Sequence, residues 1–153
     1  MMQNMAQQYA NNYVETSVSE ATPHKLVDML YEGLFKNLTL VKVFIEQKNF
    51  EKKAEHMSKA LAIVNSLRAG VDFDKGGDIA QNLFAIYDYA YRQLFRASAN
   101  NDVTLIDEVN DLIKPLREAW SELPDTYKRA NHDQIKRMNW SAFGGNAFLF
   151  ARF

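Results

Sequence analysis

The chain has 153 residues, enough for one domain with a sizeable core, and its formal net charge of −1 gives no overall electrostatic case for nucleic acid or an anionic membrane. Cysteine is absent, which excludes a disulfide framework, a thiolate metal site and a cysteine nucleophile. Residues 1–12 are polar and uncharged, unlike a secretory signal, and no apolar run approaches the roughly 18 residues that a membrane span needs. A cytoplasmic (cytosolic) protein is therefore expected, without stable membrane insertion.

Residues 1–21 read as a mostly polar arm with Tyr9, Tyr13, Val14 and Val18 as isolated apolar anchors. Thr22-Pro23 is a strong helix start. The threonine side chain can accept a bond from an orphan N–H, and proline at the first helical position loses none. Leu26, Met29, Leu30, Leu34, Leu38, Val41, Phe44 and Ile45 follow at three- and four-residue spacing, which predicts a helix over about 23–48. Gln47-Lys48-Asn49 marks a turn. A second helix is expected over about 50–69, closed by Gly70 as a left-handed terminator. A third is expected over about 78–98 after Gly76-Gly77, with Ile79, Leu83, Ile86, Ala90 and Leu94 on its core stripe. The fourth, about 103–123, has Ile106, Val109, Ile113, Leu116 and Trp120 as its seam and a kink at Pro115. No segment alternates with period two, so no sheet is expected. The fold class is all-α: an antiparallel four-helix bundle over 22–123 with an N-terminal arm and a candidate short fifth helix about 125–138.

The first helix spreads its apolar side chains over roughly 200° of its wheel, twice the stripe a core-facing helix needs. Such a helix is either buried on two sides of a compact bundle or carries a groove for a partner helix. An exposed groove would need a cover, and the tyrosine-bearing arm is a natural lid. Nothing marks an enzyme. His24, His56 and His132 have no metal-ligand spacing, and a lone helical histidine is more often a surface or capping residue. No phosphate loop or nucleophile elbow occurs. Gly76-Gly77 reads as a turn, and the carboxylates fall on polar faces. No cofactor is expected.

The stretch Glu20-Ala-Thr-Pro-His-Lys-Leu-Val-Asp-Met-Leu-Tyr-Glu-Gly33 closely resembles the opening of the flagellar secretion chaperone family. Lys59-Ala-Leu-Ala-Ile-Val64 is similar to the family's second helix. Lys75-Gly-Gly-Asp-Ile-Ala-Gln-Asn-Leu83 and Ile86-Tyr-Asp-Tyr89 are similar to its third. Ala99-Asn100, Glu108-Val109 and Leu116-Arg-Glu-Ala-Trp120 are similar to its fourth. The resemblance covers about residues 9–123.

It implies an antiparallel helical bundle that binds the disordered C-terminal segment of flagellin. Binding would block premature filament assembly and hand the subunit to the cytosolic domain of the flagellar type III export gate. It also implies an N-terminal tyrosine over the binding surface, with Tyr9 and Tyr13 as the two matching positions and Val18 beside them. Groove residues are expected among Leu30, Tyr31, Leu34, Leu83, Tyr87 and Tyr89, some of which must be core instead. The alternative reading is an adaptor bundle for another amphipathic protein partner.

The departure from the family is the tail, residues 124–153. Five basic residues stand against two acidic ones, a balance of +3, while the rest of the chain carries −4. The tail also holds Tyr127, Trp140, Phe143, Phe148, Phe150 and Phe153. An extra helix folded onto the bundle, an extension or non-native appendage with little function, and a second partner or membrane-surface contact all fit this composition.

Overall fold

The computed structural model describes residues 22–71 and 73–123, with Asp125 and Arg129 beyond them. The expectations for the arm, including Tyr9, Tyr13 and Val18, and for most of the tail lie outside the described residues.

Four helices follow in order: α1 (Pro23–Glu46), α2 (Phe50–Ala69), α3 (Phe73–Asn100) and α4 (Val103–Ser121). The starts of three of them follow from side-chain caps. Thr22 Oγ1 accepts from the Lys25 N–H at 3.2 Å, with Pro23 at the first helical position. Asn49 accepts from the Lys52 N–H at 3.3 Å, and Asp102 from the Thr104 N–H at 2.9 Å. Each bond satisfies a donor that the first turn leaves without a helical partner. The reversals before α2 and α4 use positive φ at Lys48 (58°) and Asn101 (50°).

Two helix ends differ from expectation. Gly70 stays right-handed, at φ −82°, because its N–H closes the last turn onto the carbonyls of Ser66 and Arg68. The left-handed glycine is instead Gly77, at φ 55° and ψ −131°, a conformation that a Cβ disfavours. It breaks the helical path at the start of α3, so that the regular part begins at Asp78 as the sequence predicts. α4 runs through Pro115 as one helix.

The helices form a ring, α1 on α2, α2 on α3, α3 on α4 and α4 back on α1. Neighbours are antiparallel. His24 at the start of α1 meets Trp120 at the end of α4, whereas Lys42 near the end of α1 meets Asp107 near the start of α4. The all-α four-helix bundle read from the sequence is the fold, and the described residues contain no strand.

Because α1 touches two neighbours, it buries a broad arc: Val27, Met29, Tyr31, Leu34, Leu38 and Val41 are buried, and Leu30, Phe35 and Ile45 are partly so. Much of its wide apolar face is therefore used inside the bundle. The α3 core stripe is Ala80, Leu83, Tyr87, Ala90, Leu94 and Ala97, spaced three and four apart. Ile79 and Ile86, expected on that stripe, lie at its edge, Ile79 exposed and Ile86 half-buried.

Candidate partner-binding surface

A binding surface on such a bundle must be built from what the core leaves outside. The structure sorts the six groove candidates that fall on described residues. Tyr31, Leu34, Leu83 and Tyr87 are buried in the core, and a partner reaches them only if helices part. Tyr31 and Tyr87 meet across the interior through their hydroxyls, 2.5 Å apart. Leu30 is half-buried, and Tyr89 is 38% exposed. Those two are open to a docked segment in the closed bundle.

The α3 helix carries apolar groups along both edges of its core stripe. On the side toward α2 stand Phe84, Tyr91 and Phe95, at spacings of seven and four that keep them on one side of the helix. Phe73 packs on Phe84 with ring centroids 5.4 Å apart. The Arg68 guanidinium of α2 lies 4.6 Å from the centre of the Tyr91 ring and ion-pairs with Asp88 at 3.0 Å, spanning the seam. Phe95 is 62% exposed, the most solvent-facing large apolar side chain among the described residues. On the α4 side, the Tyr89 hydroxyl donates to Glu108, and Gln93 Nε2 donates to both Tyr89 and Glu108 at 3.2 Å. The carboxylate acceptor raises the Tyr89 pKa above the usual tyrosine value, because ionisation would destroy that bond.

The α1–α4 seam is different in kind. It opens into a groove of about 730 Å³ with Phe35 and Thr39 on its α1 wall. The α4 wall presents Asp107, Asn110 and Asp111, then Lys114, Arg117 and Glu118. Arg117 ion-pairs with Asp28 at 3.5 Å and sits over the Phe35 ring. The seam is clasped at its end by His24 and Trp120. Their rings stack at 5.0 Å, His24 Nε2–H donates to the Trp120 carbonyl, and Trp120 Nε1–H donates to the His24 carbonyl, each at 2.9 Å. His24 is thus a buried interhelical residue rather than the surface or capping residue its sequence position suggests. Its partner lies 96 positions away, beyond the reach of any local pattern.

The third polar joint links α1 to α2. Asn37 Nδ2 donates to the Gly33 carbonyl, which leaves its Oδ1 to accept from His56 Nδ1–H at 3.0 Å. Burial, followed by the nearby Lys59 charge, lowers the His56 pKa below its ordinary 6.5. Among the described residues no group of histidine and acidic side chains could hold a metal ion, and no helix is long and apolar enough to cross a membrane.

The sequence model of the family described as flagellar protein FliS matches residues 5–127, more than three quarters of the chain. The chain belongs to this family of flagellar secretion chaperones. Its similarity to the flagellar secretion chaperone FliS of Salmonella typhimurium is 42% identity over 116 residues, covering 75% of this chain and 86% of that protein. The FliS of Vibrio cholerae is 36% identical over 126 residues (82% and 93%), and that of Bacillus subtilis 32% over 120 residues (78% and 89%). The family match ends where the tail begins, so the aromatic and basic extension lies almost entirely beyond it. The groove residues expected from the sequence include neither Phe84, Tyr91 and Phe95 nor Phe35 and the carboxylates of the α4 wall. The signal for that wall was present as the 4-7-4 spacing of acidic residues along α4.

Proposed function

We propose that this member of an export chaperone family binds the C-terminal segment of flagellin in the cytosol, keeps it from polymerising early, and presents it to the cytosolic domain of the flagellar export gate. The observation that carries this reading is the aromatic strip along one edge of α3, half-buried Phe84 and Tyr91 continuing to exposed Phe95, on a chain of that family. A disordered segment gains most from a long shallow surface, because each residue ordered on binding costs conformational entropy that burial must offset. An amphipathic partner helix can lay its apolar side along such a strip. Leu30 and Tyr89 are further reachable positions. Tyr31, Leu34, Leu83 and Tyr87 support the surface from beneath, and Tyr9, Tyr13 and Val18 of the arm are proposed to cover it in the free protein. Function by burial requires no catalytic group and no cofactor.

The test is size-exclusion co-elution and calorimetry with the C-terminal segment of flagellin from the same source. The expected result is a one-to-one complex with helicity gained on mixing and a negative heat-capacity change, the marker of apolar burial. Absence of binding to the full chain and to a chain lacking the arm would sink the flagellin reading. Equal binding of unrelated amphipathic peptides would favour a general adaptor.

A further inference from the structure

We propose that the tail, residues 124–153, docks back on the bundle against the acidic face of α4, along the groove that α4 forms with α1. The charges of these two adjacent segments are complementary. Residues 102–122, α4 with its caps, hold six acidic residues against two basic ones, a balance of −4. The tail that follows directly carries +3, with its basic residues in two pairs, Lys128-Arg129 and Lys136-Arg137. The acidic residues are not scattered. Asp107, Asp111, Glu118 and Glu122 are spaced four, seven and four apart, which places them in one stripe of about 22 Å along the helix.

Three of the four carboxylates in the stripe make no ion pair among the described residues. Asp107 is held by Lys42, and Lys114 and Arg117 share the groove wall, yet among the described residues Asp111, Glu118 and Glu122 enter no ion pair. Beside the stripe, the groove offers Phe35 as an apolar contact for the tail's aromatic side chains, most of which follow its two basic pairs. Geometry favours a cis occupant. The chain leaves α4 at Leu123, which is buried against the same end of the bundle, and the Arg129 N–H donates to the Asp125 carbonyl at 3.1 Å, the bond of one helical turn. About 15 helical residues, or roughly half that number extended, span the acidic stripe, and 30 are present. Tethering keeps the tail at an effective concentration on the order of millimolar, so modest contacts suffice.

The test uses the full chain, whose lack of cysteine permits a single nitroxide label at Ser141→Cys. Amide signals of residues 107–118 should lose most of their intensity, while those of the outer α2 positions Glu51 and Glu55 keep theirs. The exposed pair Asp111→Lys with Glu118→Lys should restore the α4 signals, as should high salt, which screens exposed charges. Absent or uniform broadening, or broadening that survives the charge reversal, would overturn the proposal. So would broadening seen only when a labelled chain is mixed with an unlabelled one, since the occupant would then be the tail of a second copy.

Discussion

Tyr87 and Phe95 are eight residues apart on α3, yet Tyr87 is fully buried and Phe95 is 62% exposed. Between them Tyr89 is half-way out and Tyr91 half-buried. The inner aromatic is fixed by a hydroxyl partner on α1, the Tyr31 oxygen, deep between the helices. Of the outer ones, two have polar tethers at the seams, Tyr89 on Glu108 and Gln93 and Tyr91 under Arg68, while Phe84 leans on another ring. One helix thus carries the same residue types inward and outward, and location rather than chemistry separates its buried aromatics from those proposed to bind. That separation can be tested by substitutions that should divide cleanly between stability and binding.

The largest effect is expected inside. Leu34→Asp would place a carboxylate, with no counter-charge built for it, at a fully buried position, costing about 4 kcal/mol or more. That is a large share of the roughly 5–15 kcal/mol that holds a domain folded. The expected outcome is loss of cooperative melting by circular dichroism. A folded Leu34→Asp chain that no longer binds its partner would instead place Leu34 on the binding surface and dissolve the distinction.

Next is the hydroxyl pair. Tyr31→Phe or Tyr87→Phe removes one hydrogen bond while keeping the ring, with an expected loss of about 1 kcal/mol in chemical denaturation. The double substitution should cost less than the two single ones added, because the second change removes a partner already lost. Strict additivity would mean that the short contact contributes nothing of its own.

Phe95→Ser should barely move the melting curve, within about 0.5 kcal/mol, since the ring is mostly in water already. On the proposed function it should weaken flagellin binding about tenfold, the usual scale for a single aromatic contact at an interface. Equal binding by wild type and Phe95→Ser would move the docking surface away from this strip.

The sequence made the framework legible because its signals are local. A threonine before a proline, an asparagine or aspartate before a periodic run, and spacing by three and four fix helices within a few residues. What was not legible depends on partners distant in sequence. A wheel shows that Leu34 and Phe95 are apolar, but only the ring of neighbours decides that α1 is covered from two sides and that one edge of α3 is left open. The expected α3 stripe holds at Leu83, Ala90 and Leu94 but not at Ile79 and Ile86, for the same reason: only contact with α2 and α4 sets the rotation of the helix. Gly70 shows a related limit. Its sequence permits a left-handed cap, yet the chain closes that helix with right-handed geometry and spends its left-handed glycine at Gly77.

A smaller effect is expected from pH. The His56 pKa is lowered in the folded protein, so the native state favours the neutral ring and the unfolded chain binds the proton first. The associated stability is present above the unfolded value of about 6.5 and is lost as pH falls from there through the lower folded value. Melting temperature should decline below pH 6.5 more steeply for the wild type than for His56→Gln. Parallel profiles would show that the Asn37–His56 joint is insensitive to the charge of the ring.

The finest probe of the comparison is the ionisation of Tyr89 itself. Its hydroxyl donates to Glu108, a bond available only to the neutral phenol, and the phenolate would face that carboxylate across the seam. Both effects raise its pKa, against a smaller opposing pull from Arg96 and from the Gln93 amide. Absorbance titration of the wild type minus Tyr89→Phe should therefore show a tyrosine that ionises above the ordinary value, and Glu108→Gln should move it back down. If flagellin lies over this edge of α3, the bound complex should raise that transition further, because covering the phenol removes the water that would solvate its anion. A transition unchanged by saturating flagellin would place the partner on the opposite edge, over Phe84, Tyr91 and Phe95, and leave Tyr89 as a tether between α3 and α4 alone.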